Sequence, residues 1–139
     1  MEYKQFGNKY VIRLDKGEEI VSVLQKFCSD NSIKLGSVSG IGAVNKVVIG
    51  FFDHEKKEYF QEELNQKFEI LSVNGNVSTM KGGAYIHLHI TLSDSESKAL
   101  GGHLNSAVVS STCEIIVEKI DGSVDRELSE EIGLNLIKF

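Results

Sequence analysis

One segment of the chain alternates apolar and polar side chains without interruption: Tyr85-Ile86-His87-Leu88-His89-Ile90-Thr91-Leu92. Successive side chains of a β-strand point to opposite faces, so the four aliphatic residues of this segment form one apolar face. His87 and His89 lie on the other face, and their imidazoles point in the same direction. The segment therefore predicts a half-buried strand that carries two histidines on its polar side.

Most of the remaining chain also has the composition of β-strands. Six further segments are rich in β-branched and aromatic residues and are bounded by Gly, Asn, Asp or Ser. They are Lys9 to Leu14, Lys34 to Ser39, Val44 to Phe52, Phe68 to Val77, Thr112 to Ile120 and the short Leu134 to Lys138. The charged segment Asp53 to Glu58 predicts the solvated tip of a hairpin, and His54 within it is interpreted as a solvated turn residue.

Only one segment has the periodicity of a helix, and it runs from about Gly17 to Asp30. Asp15 and Glu18 have the D-x-x-E form of a capping box at its start. Its apolar face is formed by residues at helical spacing: Ile20, Leu24, Phe27 and Cys28. Because the helix occurs once, the pattern predicts an α+β fold, a mainly antiparallel β-sheet with one main helix packed against it. No linker or repeat interrupts residues 1–139, so we expect a single domain.

The charge and hydropathy of the chain limit its partners. Fifteen Lys and Arg residues against twenty Asp and Glu residues give a net charge of −5, whereas a phosphate-binding domain usually carries a basic excess. Direct nucleic-acid binding is therefore expected to be weak. No stretch approaches the roughly 18 to 20 consecutive apolar residues of a membrane span, and the first residues lack the apolar core of a secretory segment, so we expect a cytoplasmic protein without a membrane partner. Cys28 and Cys113 have no metal or redox spacing and are expected to be buried, reduced thiols.

The two histidines of the alternating segment are candidate metal ligands. Residues i and i+2 of a strand are about 7 Å apart, and two imidazoles can close that distance onto one ion. His103 is the candidate third ligand, because it follows Gly101 and Gly102, which allow another group to approach closely. Imidazole suits Zn²⁺, Ni²⁺, Cu²⁺ and Fe²⁺ alike. An H-x-H pattern is also common on a polar outer face without metal, and the residues alone leave both interpretations open.

Two carboxylates and one glycine pair are further candidate functional groups. Glu69 and Glu114 fall inside strongly apolar strands, where they are either solvent-exposed or acids placed near the histidines. They are the candidate catalytic residues. Gly40 and Gly42 follow a strand, but no third glycine or helix follows them, so a dinucleotide site is excluded and a bulge or tight turn is expected.

Several motifs together resemble the PPC domain, the "plants and prokaryotes conserved" domain, over nearly the whole chain. The motifs are Val38-Ser39-Gly40-Ile41-Gly42-Ala43, Phe68-Glu69-Ile70-Leu71-Ser72-Val73-Asn74-Gly75, His87-Leu88-His89, Gly101-Gly102-His103-Leu104 and Thr112-Cys113-Glu114-Ile115-Ile116. The resemblance implies an α+β subunit that assembles as a homotrimer. It also implies that His87, His89 and His103 form a metal site for a divalent transition metal, with zinc as the first choice.

Members of the PPC family are often described as DNA-binding, but this chain lacks the element that enters the minor groove in the plant members. Plant members join the domain to an AT-hook, a short basic Arg-Gly-Arg-Pro segment that enters the minor groove. This chain has no proline and only Arg13 and Arg126 as arginines. The resemblance therefore implies only that this chain associates with DNA or with a DNA-binding partner. Apolar residues on both faces of Phe68 to Val73 are consistent with burial against a neighbouring subunit.

Two functions remain in competition. The first is a homotrimeric, transcription-associated PPC module with a structural or sensing metal site and no turnover. The second is a metal-dependent hydrolase or lyase acting on an unknown small molecule, in which three imidazoles leave a position for water and Glu69 or Glu114 acts as general base. The sequence favours the first. Small-ligand binding in clefts between subunits is a third possibility.

Overall fold

The computed structural model describes all of residues 1–139 and contains nine strands and one helix. The strands are β1 (Glu2–Phe6), β2 (Lys9–Asp15), β3 (Gly36–Asp53), β4 (Glu58–Leu64), β5 (Phe68–Met80), β6 (Gly83–Ser93), β7 (Ala99–Lys119), β8 (Asp125–Ser129) and β9 (Leu134–Lys138). The helix α1 spans Ile20–Asp30. All strand pairs but one are antiparallel, so the predicted α+β fold with a mainly antiparallel sheet and one helix is confirmed.

Four long strands pair with one another in a closed circuit. Strand β3 pairs with β5, β5 with β6, β6 with β7, and β7 again with β3. Strands β2 and β1 extend the sheet from β7, and β4 pairs with β3. Strands β8 and β9 form a hairpin that joins β5 through one parallel pair, Thr79 with Asp125. This closure brings β6 and the first part of β7 side by side.

The hydrophobic core lies between helix α1 and the long strands. All four residues of the predicted apolar helix face are buried: Ile20, Leu24, Phe27 and Cys28. They belong to one cluster of 25 buried hydrophobic residues drawn from the helix and the sheet. Cys28 and Cys113 are both buried and free, and burial raises the pKa of each thiol to about 12. The thiols therefore stay protonated, as predicted for structural cysteines. The one helix, α1, has 11 residues and is too short to span a membrane.

The bounds of several strands differ from the sequence predictions. The two segments Lys34 to Ser39 and Val44 to Phe52 form one continuous strand, because the Gly40 to Gly42 region is a bulge rather than a turn. Segment Thr112 to Ile120 is only the second half of β7. Strands β1, β4 and β8 were not predicted, because most of their residues are exposed and lack a buried apolar face. The hairpin tip at Asp53 to Glu58 is confirmed, with His54 exposed.

The helix begins three residues later than predicted because Glu19, not Asp15, is its N-cap. The carboxylate of Glu19 accepts hydrogen bonds from the N–H groups of Val21 and Ser22. It also accepts one from the N–H of Ala107 in β7, at 3.0 Å. Glu18 accepts from the N–H of Asp15, so one contact of the predicted capping box exists, but it closes the preceding turn. Glu19 therefore ties the start of the helix to the sheet.

Replacing Glu19 with alanine is expected to lower the free energy of unfolding by about 1 to 2 kcal/mol, because it removes the acceptor of three backbone N–H groups. Urea unfolding followed by circular dichroism measures this change. The matched control is Glu55→Ala in the exposed β3–β4 turn, which should change stability by no more than about 0.5 kcal/mol. Equal effects of the two substitutions would refute the role of Glu19.

Candidate metal centre

The pairing of β6 with β7 places the three candidate ligands next to one another. His89 lies directly opposite His103 in this antiparallel pair, and His87 lies two residues away on the same face of β6. The two glycines before His103 allow the close approach that the sequence predicted. A Cβ on Gly101 would overlap the carbonyl oxygen of Ile90, and a Cβ on Gly102 would lie 2.8 Å from the carbonyl oxygen of Gly50.

The three imidazoles are close enough to share one ion. One nitrogen from each of His87, His89 and His103 lies within 4.8 Å of the others. The ring centroids are 5.1 to 5.5 Å apart. A tetrahedral zinc ion about 2.0 to 2.1 Å from each nitrogen puts the nitrogens about 3.3 Å apart, so the rings need to approach one another by at most about 1.5 Å. The residues present fit a divalent transition metal.

The electrostatics of the cluster favour neutral imidazoles. Burial lowers the pKa of His87 to about 4, with smaller contributions from His103, Arg126 and His89. Burial and the neighbouring His89 also lower the pKa of His103. A metal must bind the neutral ring, and a protonated ring has to release its proton first. At neutral pH these two rings are therefore ready to bind an ion without losing a proton.

The cluster opens into a cavity of about 700 Å³. Aromatic side chains, among them Phe51, Tyr59 and Tyr85, line it together with residues of the β8–β9 hairpin. The hydroxyl of Tyr59 donates a hydrogen bond of 2.9 Å to Oδ1 of Asn105, and Nδ2 of Asn105 is buried without a partner. Arg126 is the one residue with a permanent charge in the lining, which contains no Asp or Glu. The cavity is therefore positive and largely apolar.

Neither candidate catalytic carboxylate reaches this cavity. Glu69 on β5 and Glu114 on β7 are both exposed to solvent, which removes the need for a buried partner. Each lines a different surface depression, Glu69 with Ser93 and Glu114 with Ile41. The structure therefore brings together His87, His89 and His103 but leaves Glu69 and Glu114 apart from them.

Sequence reasoning missed four polar groups of the cavity: Tyr59, Asn105, Arg126 and Asn135. The first three lie on a strand or part of a strand that was not predicted, namely β4, the first half of β7 and β8. Asn135 lies on the predicted strand β9, where nothing in the local sequence marks it as part of a site. The only available signal was the scarcity of arginine, since Arg126 is one of two in the chain. A lone arginine does not point to a site without knowledge of what surrounds it.

Fold and site together define a mainly antiparallel α+β protein with a three-histidine cluster that could hold a metal ion. The family model of the Plants and Prokaryotes Conserved (PCC) domain, also abbreviated PPC, matches residues 1–121. The chain belongs to this family. The hairpin of β8 and β9 follows the matched residues.

Solved structures from several organisms are similar to the chain over nearly its whole length. A protein from Bacteroides thetaiotaomicron, provisionally assigned as DNA-binding, is 37% identical with a TM-score of 0.97, covering 99% of this chain and 96% of its own. A metal-containing protein from Archaeoglobus fulgidus is 36% identical with a TM-score of 0.90, covering 100% and 99%. A plant- and prokaryote-conserved protein from Pyrococcus horikoshii is 32% identical with a TM-score of 0.88, covering 99% and 95%.

A curated relative carries a similar segment within a much longer chain. The bifunctional protein GlmU of Synechococcus sp. (strain JA-3-3Ab) is 27% identical over 110 residues, which is 78% of this chain. The match spans only 16% of the length of that relative.

Proposed function

We propose that residues 1–139 form a single-domain, homotrimeric PPC module that holds a divalent transition metal, with zinc as the first choice, at His87, His89 and His103. The observation that carries the metal assignment is the approach of three imidazole nitrogens to within 4.8 Å of one another. The description of the Archaeoglobus fulgidus relative as metal-containing supports it. A metal bound by three imidazoles keeps one coordination position for an exogenous ligand. The module acts in regulation or interaction, and the metal stabilises the fold or senses a ligand.

An apolar patch on the outer face of the sheet supports self-association. Four side chains on neighbouring strands are 44% to 56% exposed: Val11, Ile41, Leu71 and Ile116. Ile116 pairs with Val11 between β7 and β2, and Ile41 lies at the bulge of β3. Isolated exposed apolar residues are ordinary, but a contiguous patch is typical of an interaction surface. A second and third copy of the chain are the proposed occupants.

Replacing Ile41 with glutamate is expected to convert the trimer to monomer, because each interface would bury a carboxylate without a partner. Light scattering coupled to size-exclusion chromatography should give the wild type three times the 15.4 kDa of one chain. The control Phe6→Glu, at a residue 56% exposed near the β1–β2 turn, should remain trimeric. A wild-type monomer, or a trimeric Ile41→Glu variant, would contradict the assembly proposal.

The association with DNA is proposed to be weak or to pass through a partner protein. The Bacteroides thetaiotaomicron relative is provisionally assigned as DNA-binding, but this chain has a net charge of −5. Fluorescence anisotropy with short duplex DNA at physiological salt should give a dissociation constant weaker than about 1 μM with a shallow salt dependence. Nanomolar, sequence-specific binding would overturn this part of the proposal.

A metal-dependent hydrolase or lyase is the second candidate function, and the cavity beside the three histidines favours it. A cavity of about 700 Å³ is of the size that holds small molecules. Within one chain, however, no Asp or Glu lines this cavity to act as general base. Turnover of ester, amide or hydroxy-acid substrates that disappears in His103→Ala would establish this function in place of the non-enzymatic one.

A further inference from the structure

The cavity beside the histidines contains a buried positive charge that the protein does not neutralise. Arg126 is only 8% exposed. It takes part in none of the ion pairs of the structure. A buried guanidinium is costly unless an anion and hydrogen-bond acceptors surround it. An anionic partner is therefore missing from the chain itself.

The guanidinium is held in place by neutral groups from three strands. Its Nε donates to Oγ of Ser78 at 2.8 Å, one terminal nitrogen donates to the carbonyl of Asn135 at 2.8 Å, and the other to Oδ1 of Asn76 at 2.9 Å. Its centre also lies 4.9 Å from the centroid of the Tyr85 ring. A guanidinium has five N–H donors, so two remain for a ligand. The group is rigid before any ligand arrives, which lowers the entropy cost of binding.

The surroundings of Arg126 define the rest of the ligand. The cavity wall is largely apolar and aromatic, with Phe51, Phe52 and Leu128 among its residues. No Asp or Glu lines the cavity, so nothing in it repels an anion. The fork of a guanidinium matches the two oxygens of a carboxylate.

We propose that Arg126 makes this cavity a binding site for a small organic carboxylate with an apolar body. The β8–β9 hairpin, which follows the part of the chain matched by the family model, supplies this anion specificity. The assignment deepens the proposed function, because it gives a ligand class to the cavity next to the three histidines.

The test is a titration of ¹⁵N-labelled, untagged protein with benzoate and with the neutral isostere benzamide, followed by amide chemical shifts. Benzoate should perturb the amides of Tyr85, His87 and Arg126 and bind at least about 10-fold more tightly than benzamide, because only the carboxylate can pair with the guanidinium. Inorganic phosphate is the third probe. Binding of phosphate but not benzoate would overturn the organic carboxylate, and equal binding of benzoate and benzamide would overturn the anion site.

Two variants make the test specific. Arg126→Gln should lose at least about 10-fold in benzoate affinity, whereas Arg13→Gln, at the exposed arginine on β2, should bind like the wild type. If Arg126→Gln fails to fold, Arg126→Lys keeps the charge and should retain selectivity for benzoate over benzamide. No binding of any probe to the wild type would overturn the proposal, because the guanidinium would then be neutralised within the assembly.

Each titration is made on protein treated with EDTA and on the same protein loaded with zinc. If the protein binds benzoate more tightly than benzamide but binds no zinc, the metal site is contradicted and the carboxylate site is not. If the protein binds zinc but does not prefer benzoate to benzamide, the carboxylate site is contradicted and the metal site is not.

Discussion

Replacing His103 with alanine is expected to lower the zinc affinity of the protein by more than about 100-fold. Loss of a residue that only supports a metal ligand already costs about 10- to 100-fold in affinity, and loss of a ligand costs more. His103 is the one candidate ligand that β7 supplies, directly opposite His89. Without it, two imidazoles on one strand remain. Competition with a chromophoric zinc chelator measures the change on untagged protein.

The control for this experiment is His54→Ala. His54 lies in the exposed turn between β3 and β4 and belongs to no cluster of candidate ligands. Its removal should leave the zinc affinity unchanged. If His103→Ala binds zinc as tightly as the wild type and His54→Ala, then His103 is not a ligand, and the two histidines of β6 return to the interpretation of a polar outer face.

Replacing Phe27 with alanine is expected to lower the free energy of unfolding by about 3 to 5 kcal/mol, the usual cost of removing a buried aromatic side chain. Phe27 is 2% exposed. Its ring contacts Tyr10 edge-on at a centroid distance of 5.3 Å and Tyr3 at 4.9 Å. The substitution therefore leaves a cavity between the helix and the first hairpin. Urea unfolding at one fixed protein concentration measures the loss, since the proposed assembly would make stability depend on concentration.

Phe6→Ala is the matched control for Phe27→Ala. Phe6 is 56% exposed. Its ring makes one cation–π contact, with the ammonium group of Lys4 at 5.4 Å from the ring centroid. Its removal should cost no more than about 1 kcal/mol. A loss of stability at Phe27 as small as that at Phe6 would show that helix α1 does not anchor the core.

The parts of the fold that sequence predicts well are those with one buried face. Strand β6 alternates without interruption, and the apolar face of α1 repeats at helical spacing, so both were predicted. The first half of β7 was not, because Gly101, Gly102 and Ser106 have low strand propensity. It is a strand because it pairs with both β6 and β3. Such pairing depends on residues far away in the chain.

The same distinction holds for the candidate site. The alternation in β6 places His87 and His89 on one face from local sequence alone. The approach of His103 depends on the register between β6 and β7; the glycines before His103 suggested it as a third ligand, but no local pattern fixes that register. The position of Arg126 depends on how a terminal hairpin docks on β5, for which the local sequence gives no signal.

The most direct measurement of the metal proposal is an anomalous-difference map from crystals of the untagged protein grown with zinc, recorded at the zinc absorption edge. We expect one peak per chain, about 2.0 to 2.1 Å from a nitrogen of each of His87, His89 and His103. A peak that lies away from any one of the three rings, or no peak at this cluster, would contradict the central claim.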